Sequence, residues 1–240
     1  MNGHETKARE LIAKYRALKL EHPEFLRPLV IELTGTPSSG KTSVITALTR
    51  FFKRNGWRTL NPLEGAEATK LISRGSPLYN LRTFSYALDI LLERTSAHDY
   101  ELVFLDRGLY DFYCWARRWF KEGKWSEEIC RLNQQFALQP KLSNLIDLAI
   151  FATCRPDVAM ARERDWALTA ITGETTNPDT ITRLIQIWHE CFGQLQAERR
   201  PVHIIDTTLL PPDQVGQKIL ELILETIEKK LNDPKALELS

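Results

Sequence analysis

The segment GTPSSGKT spaces Gly35, Gly40, Lys41 and Thr42 as G-x-x-x-x-G-K-[ST]. Those residue types at that spacing suit the holding of phosphate. Glycines let the backbone curl until successive N–H groups, here those of residues 38–42, point at phosphate oxygens. A helix that follows adds the positive end of its dipole. The Lys41 ammonium reaches the outer phosphates as a point charge, and the Thr42 hydroxyl is placed to ligate Mg²⁺. Pro37, Ser38, Ser39 and Ser43 complete the cradle. From average residue usage, such a pattern arises by chance on the order of once in a hundred chains of this length. The plain alternative is a glycine-containing turn with a stray lysine. The apolar run LVIELT before the loop and the amphipathic segment after it argue for nucleotide binding.

A loop of this kind works with an acid at the end of another buried strand. LVFLDRG supplies Asp106, which reads as a Mg²⁺ holder, directly or through water, or as the N-cap of the next helix. Many ATP-driven machines place a glutamate after that acid to orient water, whereas here the residue is Arg107. A cation beside a moving phosphoryl group suits charge stabilisation better than water activation. The chain has neither an N-K-x-D guanine motif nor an L-S-G-G-Q stretch. Phosphoryl transfer is therefore expected over hydrolysis or sensing. In CRPDVAMARERD, Pro156 and Asp157 start a helix whose end carries Arg162 and Arg164. These arginines read as part of a lid over about residues 155–178 that closes on the nucleotide. The alternative is a solvated helix end, because Glu163 and Asp165 intervene.

The elements that must position these residues follow from periodicity. Short apolar runs at Leu29–Thr34, Arg58–Pro62, Leu102–Leu105, Leu148–Thr153 and Val202–Ile205 read as buried strands. Val44, Ile45, Leu48, Phe51 and Phe52 form a helical stripe that Asn55-Gly56 terminates. Phe84, Leu88, Leu91 and Leu92 form another, and a last helix runs from about Pro212 to Leu231. Strands alternating with helices predict an α/β fold: a parallel sheet with helices on both sides. Residues 1–28 stand apart as a charged helix with Leu11, Tyr15 and Leu18 on one side. That extension either packs against the main domain, taken as residues 29–240, or serves as an interaction arm or dimer contact.

Composition narrows the classes. At 240 residues, 43% hydrophobic and 26% charged, the chain suits a single well-buried domain or two small ones. A net charge of +1 gives no global reason to expect nucleic acid or an anionic membrane as partner. Cys114, Cys130, Cys154 and Cys191 form no C-x-x-C pair and no metal-ligand spacing, so reduced thiols are expected. The charged start MNGHETKARELIAKYR lacks the apolar core of a secretory signal, and no apolar stretch approaches the ~20 residues of a membrane span. A cytoplasmic location is the expectation.

Taken in order, these motifs resemble the thymidylate kinase and deoxyribonucleoside kinase group of phosphate-loop transferases. The resemblance runs from about Leu29 to Leu231. It rests on GTPSSGKT, on LDRG in the place of the group's D-R-Y or E/D-R-S motif, on RPDVAMARERD in the place of its lid entry, and on IIDTTLLPPDQV near the place of its adenine loop. It implies a P-loop NTPase three-layer α/β/α fold with a five-stranded parallel sheet, the N-terminal helix being extra. It implies ATP and Mg²⁺ as cofactors and a small-molecule phosphoryl acceptor, and by analogy a homodimer. It also implies an acidic residue after the second strand that contacts the acceptor or serves as its base, with Glu64 preferred over Glu67, the alternative for both being a surface loop glutamate. The chain departs from the group at Gly108, where Tyr or Ser is usual, and in the helix LRTFSYALDILLE, which lacks the group's base-reading Gln. Arg74, Tyr79, Arg82, Phe84 and Tyr86 are candidates to line an acceptor pocket. Tyr110, Tyr113 and Trp115 either stack a planar acceptor or pack against the sheet.

The expected function is an ATP- and Mg²⁺-dependent kinase acting on a nucleoside, nucleotide or similar small molecule. Its catalytic set is Lys41, Asp106, Arg107, Arg162, Arg164 and Glu64. One rival is a nucleotide-binding or hydrolysing regulatory protein that presents its N-terminal helix or aromatic segment to a partner. A weaker one is a polynucleotide end kinase, which would need the basic stretch ARRWFKEGKW as a channel.

Overall fold

β1 (Leu29–Gly35) is buried along its whole length, as a central parallel strand must be when helices cover both faces. The computed structural model describes residues 3–21, 26–62, 65, 71–97, 99–166 and 177–233. Glu64 and Glu67, and the part of the expected lid at 167–176, lie outside the described residues. β2 (Thr59–Leu60), β3 (Leu102–Asp106), β4 (Leu148–Thr153) and β5 (Val202–Asp206) complete a five-stranded sheet in the order β2-β3-β1-β4-β5. All pairings are parallel. β1 runs against β3 from Leu29↔Leu102 to Leu33↔Asp106 and against β4 from Ile31↔Leu148 to Gly35↔Ala152. The chain crosses first to one side of β1 and then to the other. This reversal opens a crevice beyond the carboxyl ends of the strands, where ligands bind in such sheets.

The alternation of side chains along the strands sorts the helices into two layers. Leu29, Ile31 and Leu33 of β1, Phe104 of β3 and Ile150 of β4 face a largely aliphatic core. That core is closed by α1 (Gly3–Glu21), α2 (Lys41–Arg54) and α9 (Pro212–Asn232). Val30, Val103, Leu105, Ala149 and Phe151 face the other way. They pack against α3 (Pro77–Ala97), α4 (Leu109–Lys121), α5 (Glu127–Ala137) and α8 (Pro178–Ala197), which bring Trp115, Trp119 and Trp188 and several phenylalanines. A single turn, α6 (Pro140–Ser143), leads into β4, and α7 (Pro156–Trp166) follows it. The sequence stripes missed α5 and α8. Both are now explained by Ser126 and Asn177, whose side chains accept from Ile129 N–H and Thr180 N–H as N-caps.

α1 is polar by composition, yet Ala8, Leu11, Ile12 and Tyr15 belong to the same buried cluster as β1 and α2. The Trp57 indole donates to the Ala8 carbonyl, the Tyr15 hydroxyl to the Arg27 carbonyl, and Lys7 pairs with Glu228 of α9. The helix is thus part of one layer of the domain. No helix among the described residues is long and apolar enough to cross a membrane. All four cysteines are buried free thiols.

Candidate active site

The phosphate loop is held by geometry that its glycines make possible. Gly35 has a φ of +144°, and a Cβ there would sit 1.9 Å from the Ala152 carbonyl oxygen of β4. Only glycine allows β1 to end so close to its neighbour. Ser38 (φ +55°) and Gly40 (φ +92°) also take left-handed conformations, which turns successive N–H groups to one side as in an anion nest. α2 begins directly after Gly40 with Lys41. The Lys41 ammonium folds back onto the loop, donating to the carbonyls of Thr36 at 2.8 Å and Gly35 at 3.2 Å. Pro37, Ser38, Ser39, Lys41, Thr42 and Ser43 line a cavity of about 930 Å³.

The Thr42 hydroxyl donates to the Asp106 carboxylate at 2.6 Å. A hydroxyl and a carboxylate oxygen brought together at the loop are the donor types that a hard cation takes. Asp106 ends β3, so the Leu33↔Asp106 register places it beside the end of β1. Arg107 has a φ of +72° and lines the same cavity. Left-handed backbone is uncommon for a residue with a side chain and marks a position that its surroundings enforce. The Arg107 N–H donates to the Leu33 carbonyl at 2.9 Å.

Beneath this turn lies a residue that the apolar reading of LVIELT overlooked. Strand alternation sends Glu32 and Thr34 to the aromatic face, under the start of α4. Glu32 is fully buried. Its carboxylate accepts from the backbone N–H groups of Asp111 at 2.8 Å and Tyr110 at 3.2 Å. Gly108 provides no side-chain cap to α4, so a strand residue does that work from outside the helix. A Cβ on Gly108 would lie 2.8 Å from a Glu32 carboxylate oxygen. The departure from Tyr or Ser at this position thus has a steric cause. Burial pushes the Glu32 carboxyl up to about 8, with the backbone N–H groups of Asp111, Tyr110 and Leu109 partly opposing the shift. Asp111 accepts at one oxygen from the Thr34 hydroxyl at 2.7 Å and from the Arg107 guanidinium at 3.1 Å. The Trp188 indole donates to Thr34 at 3.1 Å.

α7 meets the loop from above. Arg162 donates to the Thr207 carbonyl at 2.8 Å, the Thr207 hydroxyl at 3.0 Å and the Ser38 carbonyl at 3.3 Å. Glu163 accepts from the Ser38 hydroxyl at 2.8 Å. Both residues line the cavity, whereas Arg164 is exposed and does not. Thr207, just past β5, donates from its hydroxyl to the Ser39 carbonyl at 3.1 Å. It is a site residue that sequence reasoning passed over in favour of the exposed Asp206, whose carboxylate accepts from the Thr208 N–H at 2.8 Å.

The far wall of the cavity comes from the segment before α3, from α3 itself and from α4: Arg74, Tyr79, Asn80, Thr83 and Trp115. Of the five residues expected to line it, Arg74 and Tyr79 do. Phe84 is instead buried, its ring stacked 4.3 Å from that of Phe112. Tyr110 and Tyr113 pack in the core. Trp115 is the aromatic residue of that segment that reaches the cavity, and its indole N–H has no partner among the described residues. Asn80 is oriented by the Trp119 indole, which donates to its side-chain oxygen at 3.0 Å. In the basic stretch 116–125 the cations have partners: Arg117 and Lys121 pair with Glu190, Arg118 with Glu122, and Lys124 donates to the Gly75 carbonyl.

No protein-family model matches the chain, and no curated protein matches it. Among solved structures, it is similar to a deoxyadenosine kinase from M. mycoides determined with product dCMP and a flexible dCDP bound. The two superpose with a TM-score of 0.57 at 14% sequence identity, over 84% of this chain and 100% of that one. The chain therefore shares that kinase's fold, a five-stranded parallel sheet with helices on both faces.

Proposed function

We propose that the chain is an ATP- and Mg²⁺-dependent phosphotransferase acting on a nucleoside, a nucleotide or a similar small molecule. The observation that carries this reading is the shape of the cavity. One continuous space of about 930 Å³ has the phosphate loop on one wall and Arg74, Tyr79, Asn80 and Trp115 on the other, with Arg107 between them. A hydrolase needs room for nucleotide and water, whereas a transferase needs a second compartment of molecular size. The shared fold, and the nucleotide product bound in the deoxyadenosine kinase, favour an acceptor of nucleoside type.

In this reading the donor lies along the loop, with its base toward Pro212, Val215 and Gly216. The N–H groups of residues 38–42 and the start of α2 hold its phosphates. Lys41 exchanges its bonds to the Gly35 and Thr36 carbonyls for phosphate oxygens. Thr42 and Asp106 would hold Mg²⁺, which would neutralise charge on the phosphates. Arg107 faces the transferring group and offsets its negative charge. Residues 155–178 act as the lid: Arg162 approaches the phosphates, and Arg164 reaches them only when the lid closes. Glu64 remains the proposed acceptor base.

Incubation with γ-labelled ATP, Mg²⁺ and a panel of nucleosides, nucleoside monophosphates and small sugars or alcohols tests the reading. It predicts labelled product with at least one acceptor. Release of inorganic phosphate alone, at a rate that no acceptor changes, would contradict it.

A further inference from the structure

The geometry points to Asp111 as a positioning residue for Arg107, seated by Glu32 and Thr34 of the strand below. The inference rests on the proposed reading only for its kinetic consequence, since the arrangement itself is a matter of contacts. Three features converge on it.

The first is the backbone of Arg107. Its left-handed conformation (φ +72°) carries a steric cost for any residue with a side chain and persists only where neighbours enforce it. The second is the shared acceptor. One Asp111 oxygen takes both the Arg107 guanidinium at 3.1 Å and the Thr34 hydroxyl at 2.7 Å. Thr34 is itself fixed by the Trp188 indole at 3.1 Å. The carboxylate is therefore pinned from the strand and from α8 before it meets the arginine. The third is the seat. The Asp111 backbone N–H donates to Glu32 at 2.8 Å, and Gly108 clears the space that the Glu32 carboxylate fills. Asp111 is 3% exposed and Glu32 is 0% exposed, whereas Arg107 reaches the cavity.

Each contact has a definite consequence. A flexible arginine spends most of its time away from a useful geometry, and ordering it during each turnover costs rate. A buried carboxylate four residues along α4 orders it beforehand. Asp111 is not among the residues that line the large cavity; it lines a recess of only about 10 Å³ beside it, shared with Arg107 and too small for a ligand, so it acts through Arg107. The titratable groups that face one another here are Glu32, which burial keeps largely protonated near neutral pH, Asp111 and Arg107. The pairing of the last two keeps a cation beside an otherwise acidic turn that includes Asp106.

The test uses Asp111→Asn, which keeps the shape and removes the charge, and Asp111→Ala, which removes the acceptor. In the free protein, side-chain nitrogen NMR signals of Arg107, assigned by their loss in Arg107→Lys, report guanidinium rotation. The inference predicts slow rotation in the parent chain and faster rotation in both variants. Unchanged rotation in two folded variants would overturn it. For the kinetic arm, Asp111→Asn is expected to lower kcat about tenfold and to leave the KM for ATP within about twofold. In an Arg107→Ala background it should have no further effect on kcat, because its influence runs through the missing arginine. An equal loss in both backgrounds would assign Asp111 a merely structural role and overturn the inference. If the parent chain transfers phosphate to no acceptor, the functional reading fails, while the NMR arm still decides this one.

Discussion

The two walls of the cavity, donor and acceptor wall in the proposed reading, are built in opposite ways. The donor wall is made of backbone. Its shape comes from Gly35, Ser38 and Gly40 in left-handed conformations and from the start of α2, which sits on an aliphatic core. The acceptor wall is made of side chains that other side chains hold. Trp119 orients Asn80, the Arg118 guanidinium lies 4.7 Å from the Trp115 ring, and Glu32 caps α4 from a strand. A backbone site tolerates few changes in its glycines and lysine but many around them. A side-chain site spreads its dependence over a network, so changes several residues from the ligand are felt.

Four substitutions sharpen or break that contrast. Lys41→Ala on the donor wall should reduce phosphoryl transfer by about 10²–10³-fold, the scale of losing one preorganised charge contact. The fold should survive, since the ammonium donates to carbonyls and a hydroxyl of its own loop and bridges no separate elements through those bonds. Steady-state rates with circular dichroism check both points, and full activity would remove the donor-wall assignment.

Glu32→Gln probes the support of the acceptor wall through pH. The folded Glu32 carboxyl lies near 8 against 4.5 for the free group. Between those values the folded chain binds more protons than the unfolded one, so its stability falls as pH rises through that window. Glutamine removes the titration. The variant should gain on the parent with rising pH, by up to about 1.4 kcal/mol per pH unit within the window. Denaturant unfolding at several pH values measures the difference, and parallel pH profiles would refute the assignment.

Gly108→Ala places a methyl 2.8 Å from the Glu32 carboxylate. Overpacking of this kind costs about 1–3 kcal/mol, which for a chain of this size lowers the melting temperature by about 2–4 °C per kcal/mol. A thermal scan that shows no shift would mean the Glu32 seat is loose. The smallest expected effect is that of Trp115→Phe, which keeps a ring and loses the unpartnered N–H. One hydrogen bond to an acceptor is worth about 0.5–1.5 kcal/mol, so acceptor KM should rise severalfold while the KM for ATP stays put. Equal changes in both constants would erase the division between walls.

The same contrast explains what the sequence made legible. GTPSSGKT and the acid of LVFLDRG are local patterns, because a backbone nest is encoded within a few residues. All five strands could be found from their apolar runs, and α2 and α9 from their stripes. The acceptor wall is encoded across distance: Gly108 makes sense only with Glu32, which is 76 positions earlier in the chain and was hidden inside an apolar run. A lone glutamate in an otherwise apolar central strand was the available signal, since a buried carboxyl demands partners. Thr207 gave no local sign, as its role depends on β5 ending beside the phosphate loop. Helix α8, by contrast, was legible: its buried Ile181, Leu184, Ile187, Trp188 and Cys191 fall at helical spacing behind an Asn177 cap and Pro178, a stripe that the periodicity reading did not use.

The central claim is that phosphate passes from the loop, across Arg107, to a molecule seated on the acceptor wall. A single-turnover experiment with γ-labelled ATP addresses it most directly, following label into acceptor and into inorganic phosphate with the parent chain and with Arg107→Ala. The account predicts that label enters the acceptor in the parent chain and that Arg107→Ala slows this step by about 10²-fold or more. Label appearing only as inorganic phosphate, with or without acceptor, or transfer at the parent rate in Arg107→Ala, would contradict it.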